Sequence, residues 1–262
     1  MLFVDTFNGL FEAENAFAAA KVLRAAGYTL HTVRKGGTDG GGHHCCGRTW
    51  LTTGMVDEAR QRLGALVDAL HPFAEAGVAI VGLEPSCLYT LRDEALVLGL
   101  GARAETVARQ ALMFEEFVAR EAKAGRFALP GLKAMTPLEW PGGAGTDAAA
   151  ASPPLLVHGH CHQKAFGAMN PVLDVLRLVP GAKPELIESS CCGMAGPFGY
   201  EAKHQTVSMQ MAEQSLLPAL RKSPQACIVA DGTSCRQQIA HGAGREAVHV
   251  ARLLASLLPE GM

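Results

Sequence analysis

The sequence has no run of about 18 apolar residues, the length a membrane span requires, and no basic leader with a cleavage pattern at its start. These absences predict a cytoplasmic protein without an integral membrane segment, one that could reach the inner face of a membrane only through a partner. Excess positive charge is also missing: 23 basic and 25 acidic side chains leave a formal net charge of −2. A nucleic-acid partner is therefore not expected. No glycine pattern of the dinucleotide-binding or phosphate-loop type sits between a strand and a helix, and the run from Gly36 to Gly42 does not form one. Bound FAD or NAD within this chain is thus not expected. There is also no Cys-x-x-Cys pair, which leaves thiol–disulfide chemistry at the adjacent Cys191 and Cys192 as the weakest reading, since neighbouring cysteines close a strained ring.

What is abundant is cysteine. Eight cysteines in 262 residues are too many for chance, yet a chain this long and without secretory features is not a small disulfide scaffold. Four of them form adjacent pairs, Cys45-Cys46 and Cys191-Cys192, each followed by glycine, Gly47 and Gly193. Hydrophobic residues make up 48% and charged residues 18%, with 29 glycines and 14 prolines, a composition that predicts a folded chain with many tight turns.

Apolar strands alternate with amphipathic helices. The first half reads as LFVDTF, a helix from Ala13 to Ala26, TLHTV, a long helix from Met55 to Ala76, and VAIVGL. The second reads as LLVHGH, a helix near Pro171 to Leu178, ELIESS, a helical segment from Tyr200 to Leu217, and ACIVAD. Such alternation predicts an α/β fold with parallel sheets. Small residues crowd positions 141–154, which predicts a linker between an N-terminal domain at 1–140 and a C-terminal domain at 155–262. The halves also look duplicated. VAIVGLEPSC ends at Cys87 as CIVADGTSC ends at Cys235, and the doublets stand 41 positions before the one (Cys46 to Cys87) and 43 before the other (Cys192 to Cys235). The first half is one cysteine short: LLVHGHC offers Cys161, where LFVDTF offers Asp5 and Thr6.

In a parallel sheet, ligands collect beyond the carboxyl ends of the strands. Cys45, Cys46, Cys87, Cys161, Cys191, Cys192 and Cys235 all fall in such places, so each half is expected to bring its thiols to one edge. Cys161, Cys191, Cys192 and Cys235 supply the four thiolates that hold a common iron–sulfur cluster, and zinc is the alternative occupant of a soft sulfur site. The glycine after each doublet lets the backbone come close and aim amide N–H groups at sulfur. Cys227 opens an apolar strand and reads as a core residue.

The segments SCCGMAGPFGYEA, HGHCHQKAFG and ADGTSCRQQI resemble the cysteine-rich, or CCG, domain family. Tandem copies occur in the B-type subunits of heterodisulfide reductases and in iron–sulfur subunits of glycolate and lactate oxidases. The resemblance runs nearly end to end with the C-terminal region of large FAD-linked oxidases such as D-2-hydroxyglutarate dehydrogenase-like proteins. It implies two tandem pseudo-duplicate domains, the first degenerate, and a cluster that serves as the electron-transfer module of a flavin-dependent D-2-hydroxy-acid dehydrogenase. In that reading FAD sits on a partner flavoprotein, and electrons pass on to a quinone or other acceptor. The family motif has a lone cysteine, the doublet and a terminal Cys-x-x-Cys. Glu84 and Gly232 replace the first cysteine of the terminal pair, which favours an ordinary four-cysteine 4Fe-4S cluster over a five-thiolate non-cubane one. Asp5 is read as the replacement of the lone cysteine in the first half, leaving Cys45, Cys46 and Cys87 as an incomplete set.

Other residues admit two readings. His158, His160 and His162 alternate around Cys161 in the manner of a zinc hydrolase, but the companion aspartate is missing. His160 or His162 as a donor to the cluster competes with simple hydrogen bonding at a helix start. His43 and His44 could complete the first site or be solvated. Lys164, Arg236 and Gln237 could dock an acidic partner or lie on wetted helix faces. The rival of another class is a structural module whose thiolates hold zinc.

Overall fold

The computed structural model describes residues 1–36, 42–135 and 154–260, so most of the glycine run and all of the expected linker except Pro154 lie outside the described residues. The chain divides into two compact units, Met1–Phe117 and Val118–Met262. Each is built on a small parallel sheet flanked by helices, as the strand–helix alternation predicts.

In the first unit β1 (Leu2–Phe3), β2 (Ile80–Gly82) and β3 (Ala111–Met113) lie in the order β1-β2-β3, with Val81 opposite both Leu2 and Leu112. The helices Ala13–Ala25 and Val56–Glu75 form where the periodicity places them. The longer one buries Ala59, Leu63, Leu66, Val67, Leu70 and Ala74, a stripe at helical spacing. The expected strand TLHTV is not a strand. It contributes one bond, from the Leu2 N–H to the His31 carbonyl at 2.8 Å, because Leu30 and Val33 are only partly buried and their neighbours are exposed. A ladder there would order backbone without covering apolar surface.

In the second unit β4 (Leu155–Val157), β5 (Pro184–Leu186) and β6 (Cys227–Val229) lie in the order β5-β4-β6, and Val248 adds a parallel bridge to Val229. The two units share one order. The TLHTV segment, β1, β2 and β3 occupy the same sequence of places as β5, β4, β6 and Val248. Tyr200–Leu217 is not one helix. Two 3-10 turns, Phe198–Tyr200 and Ala202–His204, precede the helices Gln205–Glu213 and Leu216–Lys222. Pro218 explains the second break, since a proline has no N–H for the carbonyl of Gln214 and its ring clashes there. Leu156, Leu216, Leu217, Leu220, Ile228 and Ile239 make the core on this side of the sheet, and Cys192 and Cys235 pack into it. Among the described residues no helix is long and apolar enough to cross a membrane.

Candidate metal centre

The four cysteines of the second unit converge beyond the ends of its strands. Cys161 is the first residue of the helix Cys161–Ala165, Cys191 and Cys192 lie in the turn after β5, and Cys235 is the third residue of the helix Thr233–Ala243. Their sulfurs form a chain of contacts: Cys161 against Cys191, Cys191 against Cys192, and Cys192 against Cys235. The contacts polarise the set. The Cys161 thiol, followed by that of Cys192, drives Cys191 down to about 2, and the Cys192 thiol drives Cys235 down. Cys161 and Cys192 are pushed up, first by the Cys191 sulfur that each of them faces. Cys191 and Cys235 are thereby shifted toward the thiolate, the form that binds metal.

Backbone amides reinforce this. The Gly193 N–H donates to Cys191 Sγ at 3.2 Å and the Met194 N–H donates to the Cys192 sulfur. Gly193 has φ +94°, and a Cβ there would lie 2.1 Å from the Ser208 carbonyl oxygen. Its close approach is thus to the following helix, not to a ligand, while its amide points at sulfur as the sequence suggests. Gly193→Ala is expected to lower the stability of the metal-free protein by about 3 kcal/mol, the upper range for a strained non-glycine backbone, measured by urea unfolding. Stability within about 1 kcal/mol of the parent would show that the loop relaxes.

Three polar links hold the edge in shape. Lys164 Nζ donates to the carbonyls of Ser189 (2.5 Å) and Ser190 (3.1 Å), fastening the Cys161 helix to the residues before the doublet. Gln163 Nε2 donates to Asp231 Oδ2 at 2.7 Å, joining that helix to the turn after β6. Arg236 is 5% exposed and donates to the carbonyls of Ala230 and Asp231, so it pins the turn that presents Cys235 and is no docking group. His160 caps the Cys161 helix: its Nδ1 accepts from the His162 N–H at 3.2 Å, and Gln163 Oε1 accepts from the His160 N–H. Helix-start hydrogen bonding therefore accounts for it. Cys227 is a core residue whose thiol burial pushes up.

Sequence reasoning offered the donor role to His160 or His162, yet His158 is the buried histidine of the three. One of its ring nitrogens and the sulfurs of Cys192 and Cys235 are all within 4.8 Å of one another, and all three residues are buried. The alternation of His158, His160 and His162 carried the signal, but it does not say which histidine points inward.

The first unit repeats the arrangement with three thiols. Cys46 Sγ lies 3.1 Å from Cys87 Sγ, Cys45 contacts Cys46, and the Gly47 N–H donates to Cys45 Sγ at 3.4 Å. Cys87, like Cys235, is the third residue of its helix, here Pro85–Arg92; the Cys46 thiol draws its own thiol down, but burial, with Asp5 and Glu84 close by, pushes it up to about 12. Glu84 and Gly232 occupy the same place, the residue capping that helix, and Glu84 Oε1 accepts from the Ser86 hydroxyl at 2.6 Å.

Strand register corrects the pairing of Asp5 with Cys161. Leu2 lies opposite Val81, six residues before Cys87, and Val157 lies opposite Val229, six residues before Cys235. Counting four residues on from Leu2 and Val157 reaches Thr6 and Cys161. Both start a short helix, capped by Asp5 in one unit and His160 in the other. The Thr6 hydroxyl also contacts Cys45, as Cys161 contacts Cys191. Asp5 is committed to its cap, accepting from the Phe7 and Asn8 amides and from Asn8 Nδ2 at 2.7 Å, and burial, then Glu84, pushes its carboxyl up to about 6. His43 packs its ring on Gly9, and His44 bonds the backbone at Arg34.

A doublet with its glycine amide turned onto sulfur, a lone cysteine starting one helix and another in the first turn of the next make up a constellation that a family model also finds. Residues 155–240 match the family model of the cysteine-rich domain CCG. Over 245 residues the chain is 25% identical to the C-type subunit of anaerobic glycerol-3-phosphate dehydrogenase from Escherichia coli, covering 91% of this chain and 54% of that protein. It is 25% identical over 214 residues to D-2-hydroxyglutarate dehydrogenase of Escherichia coli (81% of this chain, 19% of that one). It is 37% identical over 78 residues to D-2-hydroxyglutarate dehydrogenase of Pantoea ananatis (30% and 8%). The chain thus spans about half the length of the glycerol-3-phosphate dehydrogenase component and a fifth or less of the two D-2-hydroxyglutarate dehydrogenases.

Proposed function

We propose that this chain holds an iron–sulfur cluster on Cys161, Cys191, Cys192 and Cys235 and relays electrons from a partner flavoprotein that oxidises a D-2-hydroxy acid to a quinone or another acceptor. The observation that carries this reading is the convergence of four thiols under two donated backbone amides. Four soft sulfurs suit an iron–sulfur centre, and the match to a cysteine-rich domain and the two dehydrogenase names favour a redox role for it. The cluster, when bound, supplies one-electron acceptance and release. The chain's own residues shape where that happens. Cys192 and Cys235 are 3% and 1% exposed and keep water from one side, while Cys161 is exposed and Cys191 half-buried, so the partner is met at the Cys161 edge. Such a module works on the cytoplasmic side, peripheral to any membrane its partner occupies.

Anaerobic purification followed by iron, sulfide and zinc quantification, with EPR of the reduced protein, tests the reading. Four iron and four sulfide per chain are expected for one 4Fe-4S cluster; zinc without sulfide would sink it and leave the structural zinc module. The relatives lend zinc no support.

The first unit, with Thr6 in place of the fourth thiol, is expected to add little iron. Thr6→Cys supplies that thiol at a helix start already aimed at Cys45. Iron and sulfide per chain are expected to approach twice the parent's after anaerobic reconstitution. An unchanged content would show that the first unit lacks more than a ligand.

A further inference from the structure

We propose that His158 is the residue that tunes the cluster, donating an Nε2–H hydrogen bond to the Cys235 sulfur, and that Lys164 and Ser189 fix the imidazole in the tautomer that can do so. The inference rests on the cluster reading above. His158 follows β4 directly and is 2% exposed, so its ring is out of reach of bulk water. Its Nδ1 lies 3.0 Å from Ser189 Oγ. That oxygen is also 3.2 Å from Lys164 Nζ, which can only donate. Ser189 Oγ accepts from the ammonium group, and in this assignment its single hydrogen goes to Nδ1. An Nδ1 that accepts leaves the ring proton on Nε2.

Among the described residues Nε2 has no hydrogen-bond partner, and a buried donor left unpaired is costly. Sulfurs are the acceptors beside the ring, since one of its nitrogens and the sulfurs of Cys192 and Cys235 lie within 4.8 Å of one another, and Cys235 is the one in side-chain contact with this imidazole. Four thiolates already complete the ligand set of a 4Fe-4S cluster, so the nitrogen serves as a donor to sulfur and not as a fifth ligand. Hydrogen bonds to sulfur favour the more negative, reduced state and raise the potential. By strand register, the place of His158 is taken in the first unit by Phe3, 1% exposed. The histidine therefore accompanies the complete thiol set, and an apolar ring stands where the set lacks its fourth thiol.

The test compares reduction potentials of the anaerobically prepared full chain, parent against His158→Leu and Ser189→Ala, with pulsed EPR of the reduced parent carrying 15N-histidine. His158→Leu is expected to keep its iron and to disfavour reduction about tenfold, which for a one-electron couple is about 59 mV toward more negative potential. Ser189→Ala, which keeps the ring but frees its tautomer, is expected to shift the same way by less. The parent is expected to show a weak nitrogen coupling with an exchangeable proton. An unchanged potential in both variants, a nitrogen coupling of the strength of direct iron ligation, or loss of iron from a folded His158→Leu would each overturn the donor role. If His158→Leu fails to fold, Ser189→Ala and the pulsed EPR decide. A parent without iron and sulfide would overturn the cluster reading, and with it this assignment; a loaded parent with an unshifted variant overturns the assignment alone.

Discussion

Serine in place of Cys192 or Cys235 is expected to lower the iron and sulfide content, with the visible absorption of the cluster, by an order of magnitude or more. Loss of groups that merely orient a ligand already costs metal sites roughly 10- to 100-fold in affinity, so loss of a ligand should cost at least as much. Both thiols lie in the apolar core of the second unit, where a serine hydroxyl is a poor iron donor and no water can take the vacant position. Cys161→Ser and Cys191→Ser are expected to follow, with some residual loading at exposed Cys161, where solvent can reach the metal. Cys227→Ser is the control: buried at the start of β6, it should cost stability and leave the iron per folded chain unchanged. Full iron in any of the four site variants would remove that residue from the ligand set.

A separation of two half-reactions is the second large effect expected. The purified chain alone should oxidise no 2-hydroxy acid, because thiolate-bound iron offers no hydride acceptor and the sequence holds no flavin or nicotinamide fingerprint. With a flavin dehydrogenase of the related kind, substrate should reduce the flavin at the same rate whether the chain is parent or Cys191→Ser. Reduction of the final acceptor should fall, in the variant, to the level seen without the chain. Stopped-flow absorbance at the flavin band, set beside steady-state acceptor reduction, reads both. Turnover by the chain without flavoprotein, or flavin bound stoichiometrically to it, would overturn the relay.

Most of the sheet was legible because buried parallel strands write themselves as apolar runs: VAIVGL, LLVHGH and CIVAD each contain a strand. TLHTV carries the same β-branched signature but has too little to cover, and β3, with the sequence ALM between two helices, holds no β-branched or aromatic residue to mark it as a strand. The helical segment after Tyr200 was legible as helix but not as several pieces, since the break depends on the Pro218 ring meeting the preceding turn. The cysteines were the clearest part of the site because their spacing repeats, and repetition survives without knowing the fold.

By itself, then, the sequence determined which thiols belong together and where along the chain they recur, since covalent order sets how far each cysteine stands from the end of its strand. Only the tertiary structure decided the partners at the ends of those strands. Thr6 and not Asp5 stands for Cys161, because parallel register aligns the halves by hydrogen bonds and not by letters. Arg236 and Lys164 turn inward to loop carbonyls, because a buried turn must satisfy its backbone acceptors. Of three histidines at alternate positions, one caps a helix and another faces sulfur. The choice rests on which ring nitrogen finds Ser189 or a backbone amide within about 3 Å, a distance that spacing along a chain does not encode.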